Sequence, residues 1–203
     1  MKLSILIPTL KERKILFMTL LRVIKKQAEL CYKVHPTLGE VEIIWDNSKK
    51  FTEGGLSIGE KRQSLVNKAK GDYLCFLDDD DTVSPDYIET LLRLKYKKND
   101  VCTFSSFSKL DNYWLLVNMS LFNKTNDQSK PGIIKRLPWH ICPVKSVYAK
   151  KVKFQNSNYG EDWQWFSEVL RMCTSESHTD AILHQYNHSL SVSQSDNKTT
   201  SIG

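Results

Sequence analysis

The chain has 203 residues and a formal net charge of +6 at pH 7, with 40% hydrophobic and 26% charged residues. This composition is that of a globular protein with one domain, and no apolar run reaches the length of a membrane-spanning helix. Five scattered cysteines without a Cys-x-x-Cys pair argue against a disulfide framework or a zinc site. We therefore expect a cytoplasmic protein without a membrane anchor, and its positive charge favours partners such as nucleic acid or nucleotides.

Predicted strands and helices alternate in the first half of the chain. The N-terminal apolar run ends at Pro8 and lacks the cleavage site of a signal peptide, so it is predicted as a first strand. Ser57 and Glu60 form a capping box that begins a helix, and Gly71 follows that helix where a left-handed residue is expected. The predicted strands cover residues 3–8, 41–45, 73–77 and 101–107, and the helices cover 14–28 and 57–69 and start again at 84–85.

The second half is less regular. Strands are predicted over residues 113–122 and 181–186 and within 139–149, a polar loop over 123–132 and a helix over 162–173. The alternation in the first half predicts an α/β fold, with a Rossmann-like, mostly parallel sheet that has helices on both faces. A smaller, mixed C-terminal part completes it, and the polar tail 191–203 is expected to be disordered.

Hydrophobic periodicity assigns a buried face to three of these helices. The first is predicted to bury Leu16, Leu20, Val23, Ile24 and Gln27. The third is predicted to bury Tyr87, Ile88, Leu91, Leu92 and Lys95. On the last helix, core packing is the expected role of Trp163, because it is in phase with Phe166, Leu170 and Cys173.

An apolar strand over residues 73–77 runs directly into four aspartates, Asp78 to Asp81. Adjacent carboxylates at the end of a buried strand repel one another strongly in a medium of low dielectric constant. A divalent cation such as Mg²⁺ or Mn²⁺ resolves this conflict, because both ions prefer oxygen ligands. The alternative is an acidic turn whose side chains point to water.

Polar residues follow three strands of the predicted parallel sheet. Pro8-Thr9 follows the first, Asp46-Asn47-Ser48 the second and the aspartate cluster the third. Ligands bind outside the carboxyl ends of the strands in such sheets. The coincidence therefore predicts a binding site at this edge.

Four motifs, taken in chain order, resemble family 2 glycosyltransferases of the GT-A fold. They are Ser-Ile-Leu-Ile-Pro-Thr at 4–9, Trp-Asp-Asn-Ser at 45–48, Phe-Leu-Asp-Asp-Asp-Asp at 76–81 and Gly-Glu-Asp-Trp at 160–163. The resemblance implies metal-dependent sugar transfer, with inversion, from a nucleotide-diphosphate donor, a UDP-sugar, to an acceptor hydroxyl. It also implies a single domain over residues 1–190, with a nucleotide-sugar half at 1–107 and an acceptor and catalytic half at 108–190.

The resemblance implies roles for the donor-side residues. Asp46 would accept the imino N–H of the base, with backbone around Pro8 and Thr9 flanking it. The alternative is that Asp46 is simply a turn residue. The chemistry calls for a cation, because a diphosphate leaving group develops negative charge as the glycosidic bond breaks.

Within the acidic motif, Asp80 would hold Mn²⁺ or Mg²⁺, and Asp78 would take the ribose or a metal-bound water. Asp79 is a spare carboxylate that would face sugar hydroxyls or backbone donors. Arg62 lies on the buried stripe of its helix, so it requires an anionic partner, which the diphosphate or the aspartate cluster would supply. The alternative is that its stem packs while its head reaches water. Lys61 points to the side of that stripe and is therefore the weaker candidate.

The resemblance assigns the general base to Asp162, with Glu161 in reserve. The alternative is that both carboxylates only favour the N-terminus of a helix. Some enzymes of this fold complete the metal sphere with a late histidine, and His188 is better placed for it than His184. His140 would line the acceptor side.

Three other functions are alternatives on the sequence alone. Asp78 and Asp80 also fit the Asp-x-Asp-x-Thr motif of haloacid-dehalogenase-like phosphatases, in which Asp78 would be the nucleophile. A sugar nucleotidyltransferase should have a glycine-rich loop with an arginine directly after the first strand. It is disfavoured, because residues 11–14, which follow that strand, contain no glycine. The non-enzymatic alternative is a nucleic-acid-binding module, supported by the positive charge. The acceptor of a glycosyltransferase is expected to be a saccharide or a modified base in DNA, including viral DNA.

Overall fold

The computed structural model describes residues 2–49, 53–110, 113–123 and 127–187. The α-helices are α1 (Lys14–Val34), α2 (Ile58–Lys68), α3 (Tyr87–Tyr96), α4 (Ser146–Ala149) and α5 (Glu161–Leu170), with 3-10 helices at Lys11–Arg13 and Pro36–Leu38. The strands are β1 (Lys2–Pro8), β2 (Glu40–Asp46), β3 (Tyr73–Phe76), β4 (Thr82–Val83), β5 (Val101–Leu110), β6 (Tyr113–Met119), β7 (Asp127–Lys130), β8 (Ile133–Arg136), β9 (Val144–Lys145) and β10 (Glu176–Asn187).

The strands form one mixed sheet in the order β2-β1-β3-β9-β5-β6-β8-β7, with β10 pairing with β5 and β4. β2, β1 and β3 are parallel neighbours, and the short β9 is antiparallel to both β3 and β5. β5 therefore runs in the same direction as β3, and β10 is parallel to β5. This arrangement confirms the predicted α/β fold with a mostly parallel central sheet.

The centre of the sheet is buried on both faces. Every residue of β3 is buried, and Leu3, Ile5, Leu6 and Ile7 of β1 have no exposed surface. Near-continuous apolar strands of this kind are typical of parallel sheets covered by helices. α1 contacts α3, whereas α2 and α4 both contact α5. No helix in the described ranges is both long enough and apolar enough to span a bilayer.

The capping box is confirmed, but the prediction for Gly71 is wrong. Glu60 N donates to Ser57 Oγ at 3.1 Å, and Ser57 N donates to Glu60 Oε2 at 2.8 Å. Gly71 is not in the left-handed region. A Cβ at this position would lie 2.5 Å from Ser4 Oγ and 2.7 Å from Ser4 N, so a close approach to β1 requires the glycine.

Two predicted helix faces need correction. On α1, Leu16 and Val23 are each 39% exposed, because the buried stripe is centred on Phe17, Leu20, Leu21 and Ile24. On α5, Trp163 is 45% exposed and Trp165 is fully buried. Trp165 stacks on Phe154 with ring centroids 4.5 Å apart. The predicted core role therefore belongs to the tryptophan two positions later.

Other boundaries differ as well. α3 begins at Tyr87, after the predicted Ser-Pro start, although its predicted inner face is buried, including Lys95. β7 lies within the predicted loop 123–132, and the strand predicted within 139–149 is only the two-residue β9. The tail 191–203 lies outside the described residues.

Candidate functional site

The loops that follow β1, β2 and β3 meet at the carboxyl edge of the sheet. Pro8 pairs with Asp46 in the parallel register, and Thr9 N donates to Asp46 O at 2.9 Å. Thr9 Oγ1 donates to Asp79 Oδ2 at 2.5 Å, which joins the first loop to the third. The Asp46 carboxylate accepts from Ser48 N at 2.9 Å, as a turn residue does. Pro8, Thr9, Asp46 and Asp79 are thus brought together.

Each of the four consecutive aspartates lies beside a cationic or ionisable side chain of the protein. The pairs are Arg62 Nη2 with Asp78 Oδ1 at 3.0 Å, Arg13 Nη2 with Asp79 Oδ1 at 2.5 Å and Asp80 Oδ2 at 2.8 Å, and His184 Nε2 with Asp81 Oδ2 at 2.9 Å. Asp79 and Asp81 are buried, whereas the side chains of Asp78 and Asp80 are 31% and 26% exposed. These two carboxylates remain open to a ligand.

Arg62 is buried and faces inward, as its stripe predicted. Besides Asp78, it contacts Glu161, with Nε 3.1 Å from Oε1. Its guanidinium lies over the Phe76 ring at 4.9 Å. Arg62 Nη1 is buried and has no hydrogen-bond acceptor among the described residues. The arginine therefore joins the aspartate cluster to the start of α5 and keeps one donor unsatisfied.

Two further cations contact this edge: the sequence predicts no role for Arg13, and it ranks Lys61 below Arg62. Lys61 is buried, and its Nζ donates to Ser48 O at 2.5 Å and Thr9 O at 3.2 Å. Arg13 Nε donates to Asp79 Oδ1 at 2.7 Å. Arg13 sits in a short 3-10 helix without hydrophobic periodicity, and its partner is 66 positions away, so no local pattern identifies it.

His140 connects the aspartate cluster to Asp162. Its Nδ1 lies 3.0 Å from Asp162 Oδ2 and its Nε2 lies 3.8 Å from Asp78 Oδ2, as ion pairs rather than aligned hydrogen bonds. Trp139 Nε1 donates to Asp162 Oδ2 at 3.1 Å. Glu161 is buried against Arg62, whereas the Asp162 side chain is 18% exposed.

This network changes the protonation equilibria of its members. Burial raises the pKa of Asp162, but His140, Arg62 and Trp139 outweigh it and hold that pKa well below its ordinary value. Burial and Arg62 lower the pKa of His140, but Asp162 and Asp78 outweigh them and raise it to about 9. Asp162 is therefore an ionised carboxylate beside a protonated imidazole at neutral pH.

The neighbouring acids respond differently. Burial raises the pKa of Asp78, but Arg62 and His140 outweigh it and hold that pKa below its ordinary value. Burial raises the pKa of Glu161, and Arg62 offsets this only in part. Burial also raises the pKa of Asp80, against the opposing effect of Arg13.

Of the two late histidines, the structure describes His184 and not His188. His184 is buried, with Nδ1 2.8 Å from Ser106 Oγ, in addition to its contact with Asp81. His188 lies outside the described residues. The prediction that it binds metal therefore stays a prediction.

A cavity of about 340 Å³ lies beside this network. Asp78 and Asp162 both line it, and strands β6 and β8 contribute an apolar wall of Leu115, Val117, Met119 and Ile134. A hydroxyl compound that enters this cavity can approach the Asp162 carboxylate.

The donor atoms present suit a divalent cation that a ligand completes. Among the described residues, no group of three His, Cys, Asp or Glu side chains is arranged to hold a metal ion. Mg²⁺ is usually bound by one or two carboxylates together with substrate phosphates. Asp78 and Asp80, the two partly exposed carboxylates of the cluster, fit this pattern.

Comparison with known proteins agrees with this geometry. The family model "Glycosyl transferase family 2" matches residues 4–152. "Putative glycosyltransferase EpsH" of Bacillus subtilis (strain 168) is 25% identical over 103 residues, which are 50% of this chain and 30% of that protein.

The fold also resembles solved structures of S. aureus TarS 1-349. The complex with UDP-GlcNAc has a TM-score of 0.64 at 14% identity, covering 93% of this chain and 59% of TarS 1-349. The complex with UDP has a TM-score of 0.63 at 15% identity, covering 94% and 61%. The chain therefore spans less than two thirds of these relatives. Because the family model matches well over half of its residues, the chain belongs to glycosyl transferase family 2.

Proposed function

We propose that this protein transfers a sugar from a UDP-sugar to an acceptor hydroxyl, with inversion at the anomeric carbon. The observation that carries the proposal is the link from Asp78 through His140 to Asp162, with Arg62 joining Asp78 to the neighbouring Glu161. Leaving-group stabilisation and proton removal require charged groups of this kind on the two sides of one reacting centre. The UDP-GlcNAc and UDP complexes of TarS support the choice of donor.

The donor-side roles follow from the three loops. Asp46 would recognise the base, flanked by Pro8 and Thr9, and Asp78 would contact the ribose. Asp79 is held by Thr9 and Arg13 and would shape the loop. The unsatisfied Nη1 of Arg62 would donate to the diphosphate.

Asp80, together with Asp78, would hold Mn²⁺ or Mg²⁺. Such an ion would supply electrostatic stabilisation to the charge that develops on the departing diphosphate. Arg62 contributes positive charge at the same place from the protein itself. His188 is proposed as a further ligand on the resemblance alone.

Asp162 is the proposed general base. It would accept the hydroxyl proton as the acceptor oxygen bonds to the anomeric carbon and the bond to the diphosphate oxygen breaks, so that the electron pair leaves with UDP. His140 and Trp139 orient its Oδ2. Glu161 is committed to Arg62, which favours a positioning role for it over a role as the base.

The acceptor is proposed to be a saccharide or a modified base in DNA. The positive net charge of the chain is the argument for the DNA base. A DNA base would have to leave the stack to reach the carboxylate. Transfer to a saccharide with none to DNA would refute the DNA acceptor. Family membership disfavours the phosphatase and the non-enzymatic module, and release of phosphate from a phosphomonoester without release of UDP would reverse that judgement.

The test compares wild type with Asp162→Asn. UDP release from UDP-sugars is measured with saccharide and oligonucleotide acceptors, and UDP affinity is measured by calorimetry. We expect UDP affinity within about threefold of wild type and transfer reduced by at least about 100-fold, the usual loss when a general base is removed. Asp180→Asn is the control, since that side chain is 89% exposed. Full transfer by Asp162→Asn would refute the base assignment.

A further inference from the structure

Arg136, at the end of β8, forms no ion pair with a carboxylate among the residues that the structure describes. It lines the same cavity as Asp162, and its guanidinium stacks on Trp139 at 4.2 Å and lies 5.8 Å from the Trp163 ring. Its Nε is buried and has no hydrogen-bond acceptor among the described residues. Burial lowers the pKa of Arg136, and Cys142 and Asp162 offset this only in part. An arginine in this environment gains from an anionic ligand.

The other cations near the cavity contrast with Arg136. Arg62 is paired with Asp78 and Glu161, His140 with Asp162, and His184 with Asp81. The carboxylates that line the cavity therefore already have partners. In the described part of the chain, Arg136 makes no ion pair with any of them.

Arg136 is also linked to the proposed base. It stacks on Trp139, and Trp139 Nε1 donates to Asp162 Oδ2. A group bound at the guanidinium would be held at a short distance from the carboxylate that takes the proton. Stacking on the indole ring also fixes the planar fork of the arginine, which suits two-point recognition of phosphate or carboxylate.

We propose that the acceptor carries a phosphate or carboxylate group that binds Arg136 while its reacting hydroxyl faces Asp162. This inference rests on the proposed function, which makes the cavity the acceptor side. The apolar wall of Leu115, Val117 and Ile134 would contact a part of the acceptor that lacks hydroxyls. Phosphate and carboxylate share the recognition chemistry, and the experiment distinguishes them.

The test titrates three small probes into the full chain by calorimetry: glycerol 1-phosphate, glycerate and uncharged glycerol. Each titration is done with and without saturating UDP, so that binding in the donor site is separated from binding in the cavity. The variants are Arg136→Gln and Arg136→Lys. Lys135→Gln is the matched control, because Lys135 is exposed at the neighbouring position of the same strand.

We expect an anionic probe to bind wild type at least about tenfold more tightly than glycerol, as one or two charge-assisted hydrogen bonds provide. Arg136→Gln should lose this preference, Arg136→Lys should retain part of it, and Lys135→Gln should match wild type. UDP affinity should be unchanged in all three. The stronger of the phosphate and carboxylate probes identifies the preferred anion.

The inference is overturned if glycerol binds as well as the anions, if Arg136→Gln binds them like wild type, or if UDP displaces them. Absence of binding by any probe at tens of millimolar also overturns it. Failure of UDP to bind would count against the donor assignment instead. The titrations without UDP would then still measure the role of Arg136, so the two proposals can fail separately.

Discussion

At the residue scale, the aspartates after β3 are tolerated because the protein supplies their counter-charges. Arg13 forms ion pairs with Asp79 and Asp80, and Arg62 forms one with Asp78. An isolated carboxylate at the edge of an apolar core would instead be protonated. The cluster is thus stable without a bound ion, although Asp78 and Asp80 keep exposed surface for one.

Replacing Arg13 tests this balance. Arg13→Gln leaves Asp79 buried without its cation, so we expect a loss of about 1–3 kcal/mol in the free energy of unfolding, as for a partly buried ion pair. Urea denaturation measures the change. Lys11→Gln, exposed in the same 3-10 helix, should change stability by less than about 0.5 kcal/mol. Equal effects of the two variants would contradict the role given to Arg13.

His140 gives the fold a specific pH dependence. Its pKa rises from an ordinary 6.5 to about 9, so the protonated ring stabilises the folded state fully below about pH 6.5. That contribution is lost as the pH rises through about 9. The midpoint temperature of thermal unfolding should therefore fall more steeply between pH 6 and 10 for wild type than for His140→Gln. His35→Gln, a replacement of a partly exposed histidine, should follow wild type, and parallel curves for His140→Gln and wild type would exclude this mechanism.

The roles that sequence reasoning missed depend on partners in distant parts of the chain. Arg62 could be predicted, because helical periodicity places it on a buried stripe with Leu65 and Val66. Arg13 and Lys61 have no such local signal, because their partners are backbone or carboxylate oxygens in other loops. A contact across the tertiary structure is invisible to periodicity.

At the element scale, α2 joins the two sides of the site. Lys61 reaches the loops after β1 and β2, and Arg62 reaches Asp78 and Glu161. The N-terminus of α2 is docked on the segment before α5, with Gly59 N donating to Ser157 O at 3.0 Å. This contact and the Arg62–Glu161 ion pair join α2 to the start of α5, which begins with the two acids.

The substitution Gly59→Ala has two opposing effects on the stability of the protein. Helix propensity alone predicts a gain of about 1 kcal/mol. A Cβ at this position would lie 1.9 Å from Gln155 O, a backbone atom, so we expect a net loss of about 1–3 kcal/mol from overpacking and a fall in UDP release. Lys68→Ala, exposed on the same helix, is the control. A stabilised and active Gly59→Ala protein would refute the docking of α2 on this segment.

Whether a segment is a helix or a strand was easier to predict than which of its faces is buried. The Ser57 capping box and the apolar run of β3 carry strong local signals. On α5 the periodicity assigns core packing to Trp163 instead of Trp165, because both tryptophans fit an apolar stripe over a helix of ten residues. Contact with Phe154, which lies outside the helix, decides between them.

At the scale of the whole molecule, strand and helix alternation was sufficient to predict the sheet and the carboxyl edge at which the loops of the candidate site meet. β9 was not predictable in this form, since a strand of two residues has no periodicity and is defined by its pairing with β3 and β5. The cavity beside Asp162 depends on how β6 and β8 pack against the central strands. No pattern within either strand encodes that arrangement.

The central claim is that aspartates at the carboxyl edge of this sheet bind a nucleotide diphosphate together with a divalent cation. Calorimetric titration of UDP into wild type and Asp80→Asn, each with and without Mn²⁺, tests it most directly. We expect Mn²⁺ to tighten UDP binding to wild type by at least about tenfold, or about 1.4 kcal/mol, and to have little effect on Asp80→Asn. Equal UDP affinity in both proteins, with no response to Mn²⁺, would contradict the account.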